Sequence, residues 1–212
     1  MISIGQIPQK VEEMGQSLLG SISCDHENQT PEIKEKEEEE EEEFMKNFNL
    51  SKVEKNLIEL ETSKEILTPV ILVLGGSFNP VHRMHVHGFN IAKKHFEEKK
   101  QNFKVVGGFL VPSSDNYVKR KLGTKAMKLE HRSKMIELAT KDSNWIECCG
   151  LGIEVASMAG GLIKLELNKR DPKFESIEIF NIFGSDLVLR SRLWRYPGKK
   201  INSKFFIVIS CR

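Results

Sequence analysis

Short runs of apolar residues, rich in Val, Ile and Phe, recur along most of the chain. Runs of this kind are typical of strands that are buried on both faces of a parallel sheet. Glycine, proline and charged residues bound them, and these residue types commonly end strands. The predicted strands are residues 70–74, 103–111, 145–148, 177–183 and 205–209.

Between these runs, apolar residues lie three or four positions apart, which is the spacing of an amphipathic helix. We predict helices at residues 82–100 and 126–140 and a basic loop at residues 117–125, whereas residues 150–175 show no clear period. The predicted buried faces are Met84, Phe89, Ala92 and Phe96 in the first helix and Met127, Met135, Ile136 and Leu138 in the second. Strands that alternate with helices predict an α/β fold, a Rossmann-like parallel sheet with helices on both faces.

Residues 1–65 differ in character from the rest of the chain. Residues 37–43 are seven consecutive glutamates, which repel one another and bury nothing, so we expect a largely disordered acidic extension. It could be a solvated spacer, which is the commoner case, or a tail that binds a protein partner. An amphipathic helix is predicted at residues 44–62, docked on the domain or on a partner, with the apolar face Phe44, Phe48, Leu57, Ile58 and Leu60. Residues 66–212 then form the globular domain.

The net charge of +2 hides a strong asymmetry between these two parts. Residues 1–65 carry seventeen acidic and seven basic side chains, which leaves thirteen acidic and twenty-five basic ones for residues 66–212. A basic domain indicates anionic partners, either nucleic acid or phosphorylated small molecules. No basic stripe interleaved with aromatic residues is present, so we do not expect a nucleic-acid partner.

Cysteine usage and hydropathy bear on the compartment. The four cysteines lack CxxC spacing, and the adjacent pair Cys148 and Cys149 is poorly placed to form a disulfide. No apolar run is long enough to span a membrane, and the first residues lack the pattern of a secretory signal. We therefore expect an intracellular protein of the reducing cytoplasm or nucleus, without a membrane partner.

A glycine-rich turn follows the first predicted strand, where residues 74–85 read LGGSFNPVHRMH. Open α/β sheets bind ligands at the carboxyl ends of their strands, near helix N-termini. Glycine lets the backbone approach a phosphate closely, and the exposed N–H groups at a helix start favour an anion. The turn therefore predicts a phosphate site.

Two histidines strengthen this prediction. His82 and His85 are three positions apart at the start of the predicted helix and share a face, whereas His87 falls elsewhere and is expected at the surface. Imidazoles beside a polyphosphate can donate hydrogen bonds to its oxygens and stabilise charge that develops during transfer. A lone histidine near a helix start is usually structural, but this pair behind GGSFNP favours a functional site.

Residues 75–85, GGSFNPVHRMH, resemble the GSFNP-x-(H/T)-x-x-H motif of the nicotinamide and nicotinate mononucleotide adenylyltransferases, members of the cytidylyltransferase-like superfamily. The resemblance continues through PSSDNYVKRK at residues 112–121, EHRSKMIELATKDSNWIE at residues 130–147 and FGSD at residues 183–186. It implies an enzyme that transfers AMP from ATP to nicotinamide or nicotinate mononucleotide, usually with Mg²⁺. The products would be NAD or deamido-NAD and pyrophosphate.

The resemblance implies roles in binding ATP. Gly76, Ser77 and Phe78 would line the phosphate turn, and His82 and His85 would hold the ATP phosphates. Catalysis would consist chiefly of aligning the reactants and neutralising oxygen charge, with no covalent enzyme intermediate. No residue is assigned as a metal ligand.

Further matches concern the other contacts. Lys119 matches a family lysine that contacts phosphate, although a solvated basic loop would also explain it. Gly184 and Asp186 match a G-x-D turn whose carboxylate binds ribose hydroxyls, although Asp186 could instead cap a helix. Trp194 matches an aromatic residue that stacks on the nicotinamide ring, although it could simply close the edge of the core.

The sequence departs from the family pattern in two places. Residues 148–163 do not resemble the corresponding helix and offer no second aromatic residue for the pyridine ring. The family pattern also continues with an ISSTxxR segment that grips the ATP phosphates, so residues 66–212 are expected to be C-terminally incomplete. The alternatives are therefore a nucleotidylyltransferase with another phosphorylated acceptor or an inactive nucleotide-binding relative. The oligomeric state is left open, with a homo-oligomer among the options.

Overall fold

The computed structural model describes residues 48–63, 66–99, 102–192 and 205–209. In these ranges the strands form one parallel sheet in the order β3-β2-β1-β4-β5. The strands are β1 (Thr68–Gly76), β2 (Phe103–Pro112), β3 (Ile146–Cys148), β4 (Glu178–Gly184) and β5 (Phe205–Ile209). The helices are α1 (Ser51–Thr62), α2 (Arg83–Lys99), α3 (Asp115–Leu122), α4 (Leu129–Thr140), α5 (Ala159–Arg170) and α6 (Ser185–Ser191).

Helices cover both faces of the sheet because successive side chains of each strand point to opposite sides. In β1, Val70 and Leu72 lie in one apolar cluster with residues of α2 and α4, including Phe89 and Ile136. The alternate residues of β1 lie in the second cluster, with residues of α1 and α5. The Rossmann-like α/β fold predicted from the sequence is confirmed.

The helix before β1 packs on this sheet. Val53, Leu57 and Leu60 are buried in the second cluster, and Gly107 of β2 leaves room for Val53, because a β-carbon at that glycine would lie 2.5 Å from Val53 Cγ2. Asn56 Nδ2 also donates to the Val106 carbonyl over 2.8 Å. The sequence analysis left open whether this helix docks on the domain or on a partner, and the structure shows it packed on the sheet of the domain. The domain boundary at residue 65 stays a prediction.

The helix starts later than predicted. It begins at Ser51 rather than near residue 44, and Asn49 Oδ1 accepts a hydrogen bond from the Ser51 N–H over 2.8 Å, which satisfies one free donor at the helix start. Residues 1–47, with the acidic run and Phe44, lie outside the described residues.

Three residues placed on buried helix faces are exposed, namely Ile58, Met84 and Leu138, at 60%, 42% and 59%. The helical period explains the clearest case. The buried stripe of α4 is Arg132, Ile136 and Thr140, at four-residue spacing, and Leu138 lies about 200° around the helix from Ile136, on the opposite side. The apolar character of Leu138 therefore does not bury it, whereas Arg132, which an apolar pattern does not include, lies in the buried stripe.

Two segments had been assigned wrongly or left open. Residues 117–125 form most of α3 and a following turn of 3₁₀ helix, not a loop. Ser114 is the N-cap of α3, since its hydroxyl accepts from the Tyr117 N–H over 3.2 Å, and the basic residues at its end suit the helix dipole. The segment without a clear period, residues 150–175, contains α5. Among the described residues, no helix is long and apolar enough to cross a membrane.

Candidate active site

The phosphate turn, residues 76–80, leaves the carboxyl end of β1 and leads into α2. The strand order reverses between β1 and β4, and open α/β sheets bind ligands at the carboxyl ends of the strands beside such a switch point. Phe78 has φ of 43°, a left-handed conformation that bulky residues adopt only where their surroundings hold them. The Phe78 ring is buried in the core cluster that also contains residues of α2, and this packing holds the Phe78 backbone in that conformation.

Glycine is needed at two places around this turn. A β-carbon at Gly76 would lie 3.2 Å from the Phe78 ring. A β-carbon at Gly75 would lie 2.6 Å from the Ala156 carbonyl oxygen and 2.8 Å from Ile153 Cδ1. The glycines therefore allow the segment after β3 to pack directly on the end of β1, in addition to exposing the turn backbone.

His82 and His85 are brought together at the start of α2. The His82 N–H donates to His85 Nδ1 over 3.1 Å, and the His85 N–H donates to the His82 carbonyl over 2.9 Å. Their rings stack with centroids 3.6 Å apart, and the Phe78 ring meets His85 edge-on at 4.9 Å. This reciprocal pairing satisfies free donors of the helix start much as a capping box does.

The pairing also fixes the chemistry of His85. Because Nδ1 accepts a hydrogen bond, a neutral ring carries its proton on Nε2, where it can be donated to a ligand. Burial of the ring, and then the nearby His82, lower the pKa of His85 to about 4. His85 is therefore a neutral hydrogen-bond donor near pH 7 and brings no formal charge. His87 is exposed, as predicted.

A buried arginine, which the sequence analysis missed, ties the phosphate turn to α3 and α4. Arg132 has no exposed surface, and it donates through Nη1 to the Ser77 carbonyl and through Nη2 to Asp115 Oδ1, each over 2.9 Å. Its Nε donates to the Met127 carbonyl over 2.9 Å. The signal was its four-residue spacing from Ile136 on α4.

Asn79 fastens the other side of the turn. Its Oδ1 accepts from the Met127 N–H over 2.8 Å, and its Nδ2 donates to the Lys125 carbonyl over 2.9 Å. Both partners lie between α3 and α4, so the turn is held on both sides of Phe78, by the Ser77 carbonyl that accepts from Arg132 and by the side chain of Asn79.

The three basic residues in the last turn of α3 make different contacts. Lys119 is exposed, and its side chain makes no hydrogen bond or ion pair with the described residues. Arg120 Nη2 pairs with Glu154 Oε2 over 2.9 Å, and Glu154 also bonds Ser114 Oγ. Lys121 Nζ lies 3.3 Å from Ser77 Oγ. The lysine that meets the phosphate turn is thus Lys121, two residues beyond the one that the sequence pattern indicated.

The residues predicted for the second substrate are only partly described. Gly184 ends β4 and immediately precedes α6, at the carboxyl edge beside β1. The backbone of Asp186 lies in α6, while its side chain and the whole of Trp194 fall outside the described residues. The assignments of Gly184, Asp186 and Trp194 stay predictions.

Comparisons with known proteins agree with this geometry. The family model described as Cytidylyltransferase-like matches residues 73–208. The chain is 38% identical over 96 residues to the nicotinamide-nucleotide adenylyltransferase of Drosophila melanogaster, a match that covers 45% of the chain and 23% of the relative. It is 40% identical over 80 residues to nicotinamide/nicotinic acid mononucleotide adenylyltransferase 1 of Bos taurus, covering 38% and 27%.

A longer match extends to a plant protein. The nicotinamide/nicotinic acid mononucleotide adenylyltransferase of Arabidopsis thaliana is 30% identical over 135 residues, which are 60% of the chain and 54% of that relative. The chain thus spans between about a quarter and about half of the length of these relatives.

Proposed function

Because the chain belongs to the cytidylyltransferase-like family, we propose that it transfers AMP from ATP to nicotinamide or nicotinate mononucleotide. The products are NAD or deamido-NAD and pyrophosphate. The printed names of the relatives support this choice of acceptor. The observation that carries the proposal is the pair His82 and His85, held together directly behind the phosphate turn, which follows β1 at the point where the strand order reverses.

In the proposed reaction, a phosphate oxygen of the mononucleotide attacks the α-phosphorus of ATP. A new P–O bond forms while the bond from the α-phosphorus to the bridging oxygen breaks, and pyrophosphate leaves with that electron pair. The protein needs only to align the two phosphates and to stabilise the oxygen charge. The turn at Ser77 and Phe78 supplies backbone N–H groups, which can bind phosphate oxygens without reorganising.

His85 suits this task because it donates a hydrogen bond without carrying a charge. A fixed Nε2–H donor stabilises the phosphate oxygens in the transition state more than in the substrate if charge on those oxygens increases. The contact with the His82 N–H holds the ring in this orientation. His82 is exposed, and in this proposal it both orients His85 and contacts the phosphates.

We also propose that Mg²⁺ takes part, bound to ATP. No group of three or more His, Cys, Asp or Glu side chains within the described residues is arranged to hold a metal ion. Mg²⁺ retains several water ligands and binds substrate phosphates readily, so it can enter with the nucleotide. When bound, it would neutralise part of the phosphate charge.

The remaining assignments belong to the same proposal. Gly184 and Asp186 would bind ribose hydroxyls, Trp194 would stack on the pyridine ring, and Lys119 would contact phosphate. The free thiols of Cys148, which is half-buried, and Cys149, which is buried, support a reducing cytoplasmic or nuclear location.

A panel of acceptors tests the choice of second substrate. The full chain is incubated with MgATP and nicotinamide mononucleotide, nicotinate mononucleotide or phosphopantetheine, and pyrophosphate release is followed. The proposal predicts release with one or both pyridine mononucleotides and only a background rate with phosphopantetheine. Release confined to phosphopantetheine, or to no acceptor while ATP still binds, would contradict it.

A further inference from the structure

The three basic residues at the end of α3 have different surroundings, although they are adjacent in sequence. Successive residues of an α-helix point about 100° apart, so a helix beside the phosphate turn can direct few of them toward it. Arg120 is paired with Glu154, and Lys119 makes no hydrogen bond or ion pair with the described residues. Lys121 reaches the Ser77 hydroxyl, with Nζ and Oγ 3.3 Å apart.

The position of α3 relative to the turn is fixed at its other end. Asp115, the first residue of α3, accepts a hydrogen bond from Arg132, which also donates to the Ser77 carbonyl. The buried Arg132 guanidinium therefore joins the start of α3 to Ser77. Lys121, near the end of α3, contacts the same serine. The approach of Lys121 to Ser77 is a consequence of this frame.

The cations around Ser77 differ in whether a carboxylate neutralises them. The guanidinium of Arg132 is balanced by Asp115, and that of Arg120 by Glu154. His85 is a donor without formal charge. Lys121 is a cation with no carboxylate within salt-bridge distance in the described part of the chain, and it lies directly at the turn. A hydroxyl alone is a weak partner for an ammonium group, whereas phosphate oxygens form strong, charge-assisted hydrogen bonds with it.

We propose that Lys121 binds the polyphosphate chain of ATP and supplies the cationic contact at the phosphate turn. This rests on the proposed function, in which residues 76–78 bind ATP. Lys121 is thus a proposed nucleotide-binding residue in addition to Lys119, and it is the one that makes the contact with Ser77 Oγ. The acceptor phosphate is bound by other groups.

Variants of Lys121 and of a second exposed lysine test the assignment. Lys121→Ala, Lys121→Arg and the matched control Lys141→Ala, at the far end of α4, are prepared in the full chain, and MgATP binding is measured by calorimetry. Loss of one charge-assisted contact predicts about tenfold weaker ATP binding for Lys121→Ala, or somewhat more. Lys121→Arg should recover most of that loss, and Lys141→Ala should bind within about twofold of the wild type. Both lysines are exposed, so urea unfolding should give equal stabilities for all three.

Several outcomes would overturn the proposal. One is equal ATP affinity in Lys121→Ala and Lys141→Ala. Another is a raised KM for the mononucleotide with unchanged ATP binding in Lys121→Ala, which would place this residue on the acceptor. If the wild type binds ATP, loses affinity on Lys121→Ala and yet forms no dinucleotide, the proposed function fails while the assignment of Lys121 stands. A wild-type chain that binds no ATP would overturn both.

Discussion

The Asp115→Asn variant tests whether the ion pair beneath the phosphate turn holds the site together. The Arg132 guanidinium is fully buried, and its Nη2 lies 2.9 Å from Asp115 Oδ1. Asparagine keeps the size of the side chain and an oxygen for the Leu129 N–H, which bonds Asp115 Oδ1 at 2.5 Å. It removes the negative charge that faces the buried cation. A buried cation without a counter-ion is costly, because the protein solvates it less well than water does.

The expected loss can be bounded from the exposure of the two partners. Removing one partner of a fully buried pair costs about 3–5 kcal/mol. The Asp115 side chain is 55% exposed, and asparagine keeps part of the hydrogen bond, so we expect the free energy of unfolding to fall by about 2 kcal/mol. In a protein of this size, that corresponds to a decrease in Tm of about 4–8 °C.

Urea unfolding, followed by circular dichroism, measures this loss. Asp142→Asn is the matched control, because Asp142 is exposed and pairs with no group in the described part of the chain; it should change stability by less than about 0.5 kcal/mol. In an Arg132→Met background, Asp115→Asn should also cost less than about 0.5 kcal/mol, since the buried cation is gone. A cost that matches Asp142→Asn, or that is unchanged in the Arg132→Met background, would refute the role assigned to this pair.

Three further predictions concern the site and its surroundings. Gly75→Ala should lower the free energy of unfolding by about 1–3 kcal/mol, because its methyl group would overlap the Ala156 carbonyl, and an unchanged urea midpoint would contradict the packing. The pKa of His85 is lowered from 6.5 in the unfolded chain to about 4 in the folded protein, so the unfolded chain binds the proton first as the pH falls. The stability that neutral His85 provides is therefore complete above about pH 6.5 and is lost as the pH falls toward 4. The difference in unfolding free energy between wild type and His85→Gln should therefore shrink between pH 7 and 4.5, and a constant difference would rule this out. Burial raises the pKa of both Cys148 and Cys149 to about 12. Iodoacetamide at pH 8 should therefore alkylate these thiols at least about tenfold more slowly in the folded than in the urea-unfolded chain, as measured by peptide mass spectrometry. Equal alkylation rates in the two states would contradict this prediction.

The strands and the phosphate turn could be predicted because local sequence determines them. A run such as residues 70–74 has no polar position to expose, so it is expected to be buried on both faces, and the strand ends at the glycines that follow it. The His82–His85 spacing likewise placed both rings at one helix start, although their mutual hydrogen bond depends on side-chain geometry that spacing does not contain.

The rest of the site depends on contacts between distant segments. Arg132 looks like an ordinary surface arginine in the sequence, and its burial follows from Ser77, 55 residues earlier, and Asp115, 17 residues earlier. The sequence does not show which of Lys119 and Lys121 lies against the phosphate turn, because that depends on residues 117–125 being mainly helical. Recognising Ser114 as an N-cap would have predicted that helix from the sequence.

The fate of labelled phosphate tests the proposed transfer most directly. The full chain is incubated with nicotinamide mononucleotide and ATP that carries radiolabel at either the α- or the γ-phosphate. The account predicts α-label in the dinucleotide and γ-label in pyrophosphate, at a rate that His85→Ala lowers by about 10²-fold or more and that the control His87→Ala leaves within about twofold. Equal rates in wild type and His85→Ala, or α-label that never enters a dinucleotide, would contradict it.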